Sequence, residues 1–62
     1  SYKDIRRLAC LIIENLKEDI EEELSKGKGY VKYGDKGYYF NGNFYTIRID
    51  KDGRLMQFHP LD

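Results

Sequence analysis

The stretch Tyr38-Tyr39-Phe40-Asn41-Gly42-Asn43-Phe44-Tyr45-Thr46-Ile47-Arg48-Ile49 decides the fold. Asn41-Gly42 is a two-residue turn signal, because a type I′ turn needs positive φ at both central residues. It predicts strands over Tyr38–Phe40 and Phe44–Ile49, with Tyr38 opposite Tyr45 and Tyr39 beside Phe44. Downstream, Asp52-Gly53 predicts a second tight hairpin into a strand at Leu55–His59, placing Ile49 opposite Met56 and Ile47 opposite Phe58. Upstream, Gly34-Asp35-Lys36-Gly37 predicts a third reversal from a strand at Tyr30–Tyr33, with Tyr33 opposite Tyr38 and Val31 opposite Phe40. The three turns agree on one apolar face made of Val31, Tyr33, Tyr38, Phe40, Tyr45, Ile47, Ile49, Met56 and Phe58. A slip of one residue would scatter that face, so the register is specified.

Composition changes sharply before this region. Residues 1–25 hold no glycine or proline, whereas residues 26–62 hold all six glycines, the proline and eight of the nine aromatics. At 100° per residue, Ile5, Leu8, Ala9, Ile12, Leu16 and Ile20 form one stripe, with Tyr2, Ile13 and Leu24 at its margin. One long helix over about residues 2–25 is therefore predicted. Ser1 caps it with Asp4 three residues on, and Lys26-Gly27 stops it. The expected architecture is a single α+β domain, one long N-terminal α-helix packed on a four-stranded antiparallel β-meander.

Sixty-two residues leave room for only a modest core, and 40% hydrophobic content is enough to build one. Eleven bases balance eleven acids, which argues against a polycation that coats nucleic acid. One cysteine and one histidine make neither an internal disulfide nor a structural zinc site. No apolar run approaches the roughly 18 residues of a membrane span, and no signal peptide is read. A cytoplasmic protein without membrane contact or cofactor is expected.

The groups left outside the core suggest function by contact. The second sheet face should carry Tyr30, Lys32, Tyr39, Phe44, Thr46, Arg48, Leu55, Gln57 and His59. Tyr39 and Phe44, flanked by Lys32 and Arg48, have the chemistry of a protein interface, where aromatics and arginine are enriched. They also have the chemistry of a single-stranded nucleic-acid platform. Leu11 lies off the helix stripe and suggests self-association into a homodimer. Cys10 reads as a small buried hydrophobe. Glu18, Asp19, Glu21, Glu22 and Glu23 crowd the C-terminal part of the helix, where the macrodipole favours cations, and suggest docking of a basic partner. Residues 1–25 carry four bases and seven acids; residues 26–62 carry seven bases and four acids.

Enzymatic work finds little support. His59 has no nucleophile or acid singled out beside it, and Pro60 reads as a strand terminator. Phosphate loops, dinucleotide fingerprints and metal motifs are absent from the sequence. Asp50-Lys51-Asp52-Gly53 echoes a calcium loop but lacks its downstream glutamate. The leading expectation is a non-catalytic protein-binding module, of the accessory or inhibitor type found in phage and mobile elements. The alternatives are a single-stranded nucleic-acid-binding module and a structural building block, natural or engineered, with no ligand.

Overall fold

The computed structural model describes residues 1–61 and shows two helices and a four-stranded antiparallel sheet, an α+β arrangement. The elements are α1 (Tyr2–Asn15), α2 (Lys17–Ser25), β1 (Tyr30–Lys32), a 3₁₀ turn (Gly34–Lys36), β2 (Tyr38–Phe40), β3 (Asn43–Ile49) and β4 (Leu55–Pro60).

The helical half starts and stops where its sequence says. Ser1 Oγ accepts the Asp4 backbone N–H at 3.3 Å and donates to the Asp4 carboxylate at 2.9 Å, a short capping box. At the other end Gly27 takes φ 76°, its N–H bonds the Leu24 carbonyl, and the Lys28 N–H reaches back to Glu23. That pair of bonds is the Schellman cap, and glycine supplies the left-handed residue it needs. The helix is interrupted, however, and the expectation of one unbroken element is corrected. Leu16 sits at φ −101°, ψ 7°, and its N–H is shared between the Ile12 and Ile13 carbonyls. The Ile20 N–H still bonds Leu16, so α2 continues nearly where α1 ends. No glycine or proline marks the break, which is why the periodicity runs through it.

The sheet is organised around β3. Tyr45 pairs with Tyr38 and with Pro60, and Ile47 pairs with Lys32 and with Phe58. β1 and β2 therefore lie in tandem along one edge of β3, and β4 occupies the other. This corrects the expected four-strand meander, because β1 and β2 do not form a hairpin. Gly34–Lys36 is a 3₁₀ turn closed by the Lys36 N–H on the Tyr33 carbonyl at 2.9 Å, after which the chain resumes its original direction. Residues 33–37 all stand opposite the single residue Thr46, between the Lys32↔Ile47 and Tyr38↔Tyr45 pairs. Four extra residues is an even number, so alternation is preserved across the excursion. Tyr30, Lys32, Tyr38 and Phe40 consequently share the helix-facing side, while Val31 pairs with Arg48 on the outer face. The hairpin reading had Val31 and Tyr33 inside and Tyr30 and Lys32 outside. In the structure Tyr30 is buried, and Val31 and Tyr33 are exposed.

The two true hairpins differ. Asn41 and Gly42 take φ 49° and 89°, the predicted type I′ turn, and the predicted Tyr38↔Tyr45 and Tyr39↔Phe44 pairs form. The β3–β4 loop is longer than the two residues expected. The Gly53 N–H bonds the Asp50 carbonyl and the Asp50 N–H bonds the Arg54 carbonyl, each at 2.9 Å, with Gly53 at φ 87°. This is a type I turn followed by a left-handed glycine. Asp50 Oδ1 accepts the N–H groups of Asp52 and Arg54, and these bonds hold its carboxyl below the usual range. Ile47↔Phe58 forms as predicted, but Ile49 pairs with Leu55, and a bulge leaves Met56 as the extra residue. Met56, expected in the core, is 57% exposed.

Ile12, Leu16, Ile20, Tyr30, Ile47 and Ile49 make the core, with Leu8, Ile13, Leu24, Tyr38, Phe40, Tyr45 and Phe58 packed around it. Tyr45 and Phe58 stack diagonally at 5.3 Å, and Asn15 Nδ2 donates to the Tyr38 hydroxyl at 3.3 Å, tying α1 to β2. Gly29 sets the entry into β1. A Cβ on it would lie 2.5 Å from the Ile49 carbonyl oxygen, against backbone that cannot step aside. Gly29→Ala should therefore destabilise the fold by about 1–3 kcal/mol, the usual cost of forcing atoms into a packed site. A urea midpoint unchanged from the parent would show that β1 does not approach β3 this closely.

Candidate functional site

The outer sheet face carries one of the expected constellations in altered form. Tyr39 and Phe44 are cross-strand partners with ring centroids 5.0 Å apart and planes at 64°, an edge-to-face pair. Tyr39 is 60% exposed and Phe44 is half-buried. Arg48 is exposed on the same face, between Val31 and Gln57. It stands four residues along β3 from Phe44, roughly 13 Å at strand rise. Buried Thr46 lies between them, facing the 3₁₀ excursion. Lys32, predicted beside Tyr39, is on the opposite face. It pairs with Ile47 and holds its Nζ 5.8 Å from the Tyr30 ring centroid. The outer face thus brings together an aromatic pair and a separate arginine, without the second cation.

The acidic residues divide. Glu18, Asp19, Glu21 and Glu22 are exposed on α2, and Glu14, Asn15, Lys17, Glu18 and Asp19 border a polar hollow of about 300 Å³. Lys26 Nζ lies 3.1 Å from Glu23 and 3.8 Å from Glu22, and these carboxylates raise its pKa. Tyr30 lies beneath α2. Its phenol titrates above the ordinary tyrosine value, first because of burial and then because of the negative charges on Asp19 and Glu23. Its hydroxyl is buried without a hydrogen-bond partner.

Leu11 is 49% exposed on α1, one turn from half-buried Leu8 and next to exposed Cys10. Cys10, expected to be buried, is an exposed free thiol. It sits at the edge of the stripe, in the lining of a hollow that Leu55 and Phe58 of β4 share. His59 is exposed, pairs with Thr46 on the outer face, and places Nδ1 3.2 Å from the Pro60 carbonyl. The thiol and the imidazole thus belong to opposite faces of the molecule. Among the described residues no group of histidine, cysteine and carboxylate side chains is placed to hold a metal ion, and no helix is long and apolar enough to cross a membrane.

One surface was missed by the sequence reading. Tyr2, Ile5, Arg6, Ala9, Cys10 and Ile13 of α1 face Leu55 and Phe58 of β4 across an open groove of about 460 Å³. Tyr2 is 78% exposed and Ile5 57%, although both belong to the core-facing stripe. The signal was available as arithmetic. Taken as the single helix expected, residues 2–25 at 1.5 Å per residue run about 35 Å against about 23 Å for a seven-residue strand, more stripe than that strand can cover.

Comparison with family models, with curated proteins and with solved structures returns no match. What the chain does is therefore argued from its surfaces alone.

The unpartnered Tyr30 hydroxyl has a measurable consequence. Because the folded pKa is raised, the stability that neutral Tyr30 supplies is complete below about pH 10 and drains away as pH rises through the folded value. Tyr30→Phe should leave the protein as stable at pH 7 or more stable, by up to about 1–3 kcal/mol, since a buried orphan hydroxyl is removed. It should also lose less stability than the parent between pH 9 and about pH 11. Parallel urea-midpoint curves for the two proteins across that range would mean that the phenol is not held beneath the acids.

Proposed function

We propose that the protein is a non-catalytic binding module that recognises a protein partner by surface contact. The observation that carries this reading is the groove between α1 and β4, where Tyr2, Ile5 and Leu55 stay exposed beside one continuous apolar hollow. Apolar surface of this kind, rimmed by polar groups, is the usual mark of a contact site. The exposed surface of the molecule agrees. It measures 4806 Å², about 600 Å² more than the roughly 4,200 Å² at which compact monomers of 7.4 kDa fall. Contact through such a face suits an accessory or inhibitor that blocks or adapts a larger assembly. The homodimer expected through Leu11 has less to build on, since one half-exposed leucine is ordinary on a protein surface.

Partner capture with three forms of the protein tests this. The parent and a Tyr39→Ser/Phe44→Ser variant should retain the same partner, whereas Ile5→Glu should lose most of it while keeping its circular dichroism. Equal retention by all three would remove the groove from function.

A second reading rests on the Tyr39–Phe44 pair, whose exposed edge-to-face rings could stack a base beside Arg48. With Lys32 turned to the helix side, only one cation shares that face among the three strands there. Binding of a single-stranded oligonucleotide should therefore be weak even at low salt. A steep salt dependence that Arg48→Ala flattens would instead favour the nucleic-acid reading.

A further inference from the structure

The groove has a charge as well as a shape. Arg6 is the charged residue in its lining, and no carboxylate lines it among the described residues. Lys3 lies one turn before Arg6 on α1, and both are without ion pairs or hydrogen bonds among the described residues. Asp4, the acid of this segment, is engaged with the Ser1 hydroxyl. The apolar floor is thus bordered by the unpaired charge of Arg6.

Two occupants are disfavoured by what surrounds the groove. A second copy seated across a two-fold axis would offer Arg6 no carboxylate from the described lining, since such an interface joins the same patch to itself. An added β-strand would have to pair with the open edge of β4, and that edge is short of donors. The Leu61 N–H bonds the Phe44 carbonyl at 2.7 Å, so in the alternating ladder residues 57, 59 and 61 turn their backbone groups toward β3. Phe58 and Pro60 then face outward, and proline has no N–H to offer.

We propose that the groove between α1 and β4 takes an acidic amphipathic helix of a partner protein, its apolar residues against Ile5, Ile13, Leu55 and Phe58 and its carboxylates against Arg6. This rests on the reading of the protein as a binding module and names the chemistry of its partner. Helix-in-groove recognition supplies the geometry, with anchors spaced three and four residues apart. Apolar contact holds the segment, and Arg6 selects among segments of similar apolar pattern.

A panel of helical peptides of about four turns, sharing one leucine face and varied from all-glutamate to all-lysine flanks, tests the assignment. Binding is followed by fluorescence anisotropy, by protection of the Cys10 thiol from a chromogenic disulfide, and by amide shifts in nuclear magnetic resonance spectra. The acidic end of the panel should bind about tenfold or more tightly than the basic end at low salt, protecting Cys10 and shifting Tyr2, Ile5, Leu55 and Phe58. Arg6→Glu should abolish or reverse the trend while leaving the fold intact, and Ile5→Ser should weaken every member of the panel. Binding indifferent to flank charge, no binding by any member, shifts confined to the outer sheet face, or a solution mass that doubles with concentration through the groove would each overturn the assignment. If partner capture depends on Ile5 while the peptides show no charge trend, the binding-module reading stands and the acidic-helix assignment alone falls.

Discussion

Among the described residues Ile47 and Ile12 are the two side chains excluded completely from solvent, one from the middle of β3 and one from the middle of α1. Every other element is arranged about that contact. Ile47 fixes which face of β3 looks toward the helix, and its neighbours on both edges, Lys32 and Phe58, must follow the same parity. Ile49 and Tyr45 extend the inward row, while Arg48 and Phe44 are sent out. In a chain of this size, where burial of a few large side chains offsets most of the conformational entropy, losing that parity would leave no alternative core.

The same contact explains why part of the molecule remains uncovered. The helix crosses the sheet with Ile12, Leu16 and Ile20 over β3 and β1, so the first turns of α1 project past β4. Ile5 on the stripe and Tyr2 at its margin stay exposed, facing Leu55 and Phe58 across the groove. Burying them within this chain would require another strand beyond β4, and Pro60 blunts that edge. An apolar face of α1 and an unpaired guanidinium thus meet over β4, the strand whose outer edge Pro60 blunts. The acidic α2 contributes to a different side of the molecule, where its charges bear on the Tyr30 phenol rather than on the groove.

Much of the fold was legible because it is written in local chemistry. Asn41-Gly42 demanded positive φ at both residues and fixed the β2–β3 register, including the Tyr39–Phe44 ring pair. The apolar stripe and the Lys26-Gly27 stop located the helical half to within a residue or two. The errors share a cause. Gly34-Asp35-Lys36-Gly37 has the composition of a reversal, yet the same residues can make a 3₁₀ turn that preserves direction. Likewise Asp52-Gly53 fits a two-residue loop or the end of a longer turn closed by Asp50, and Met56 is inside or outside accordingly. Each choice depends on bonds to atoms that the turn itself does not contain.

The sequence by itself determined the presence of the helix and strands, the β2–β3 pairing, and the outward direction of Tyr39, Phe44 and Arg48, because turn chemistry and alternation are properties of neighbours along the chain. Only the tertiary structure decided that β1 and β2 share one edge of β3, that Tyr30 rather than Val31 fills the core, and that Arg6, Ile5 and Leu55 border a common groove. Those outcomes turn on which distant surfaces meet. Seven residues of β3 are long enough to accept two short strands in tandem, and the core gains a larger ring by taking Tyr30.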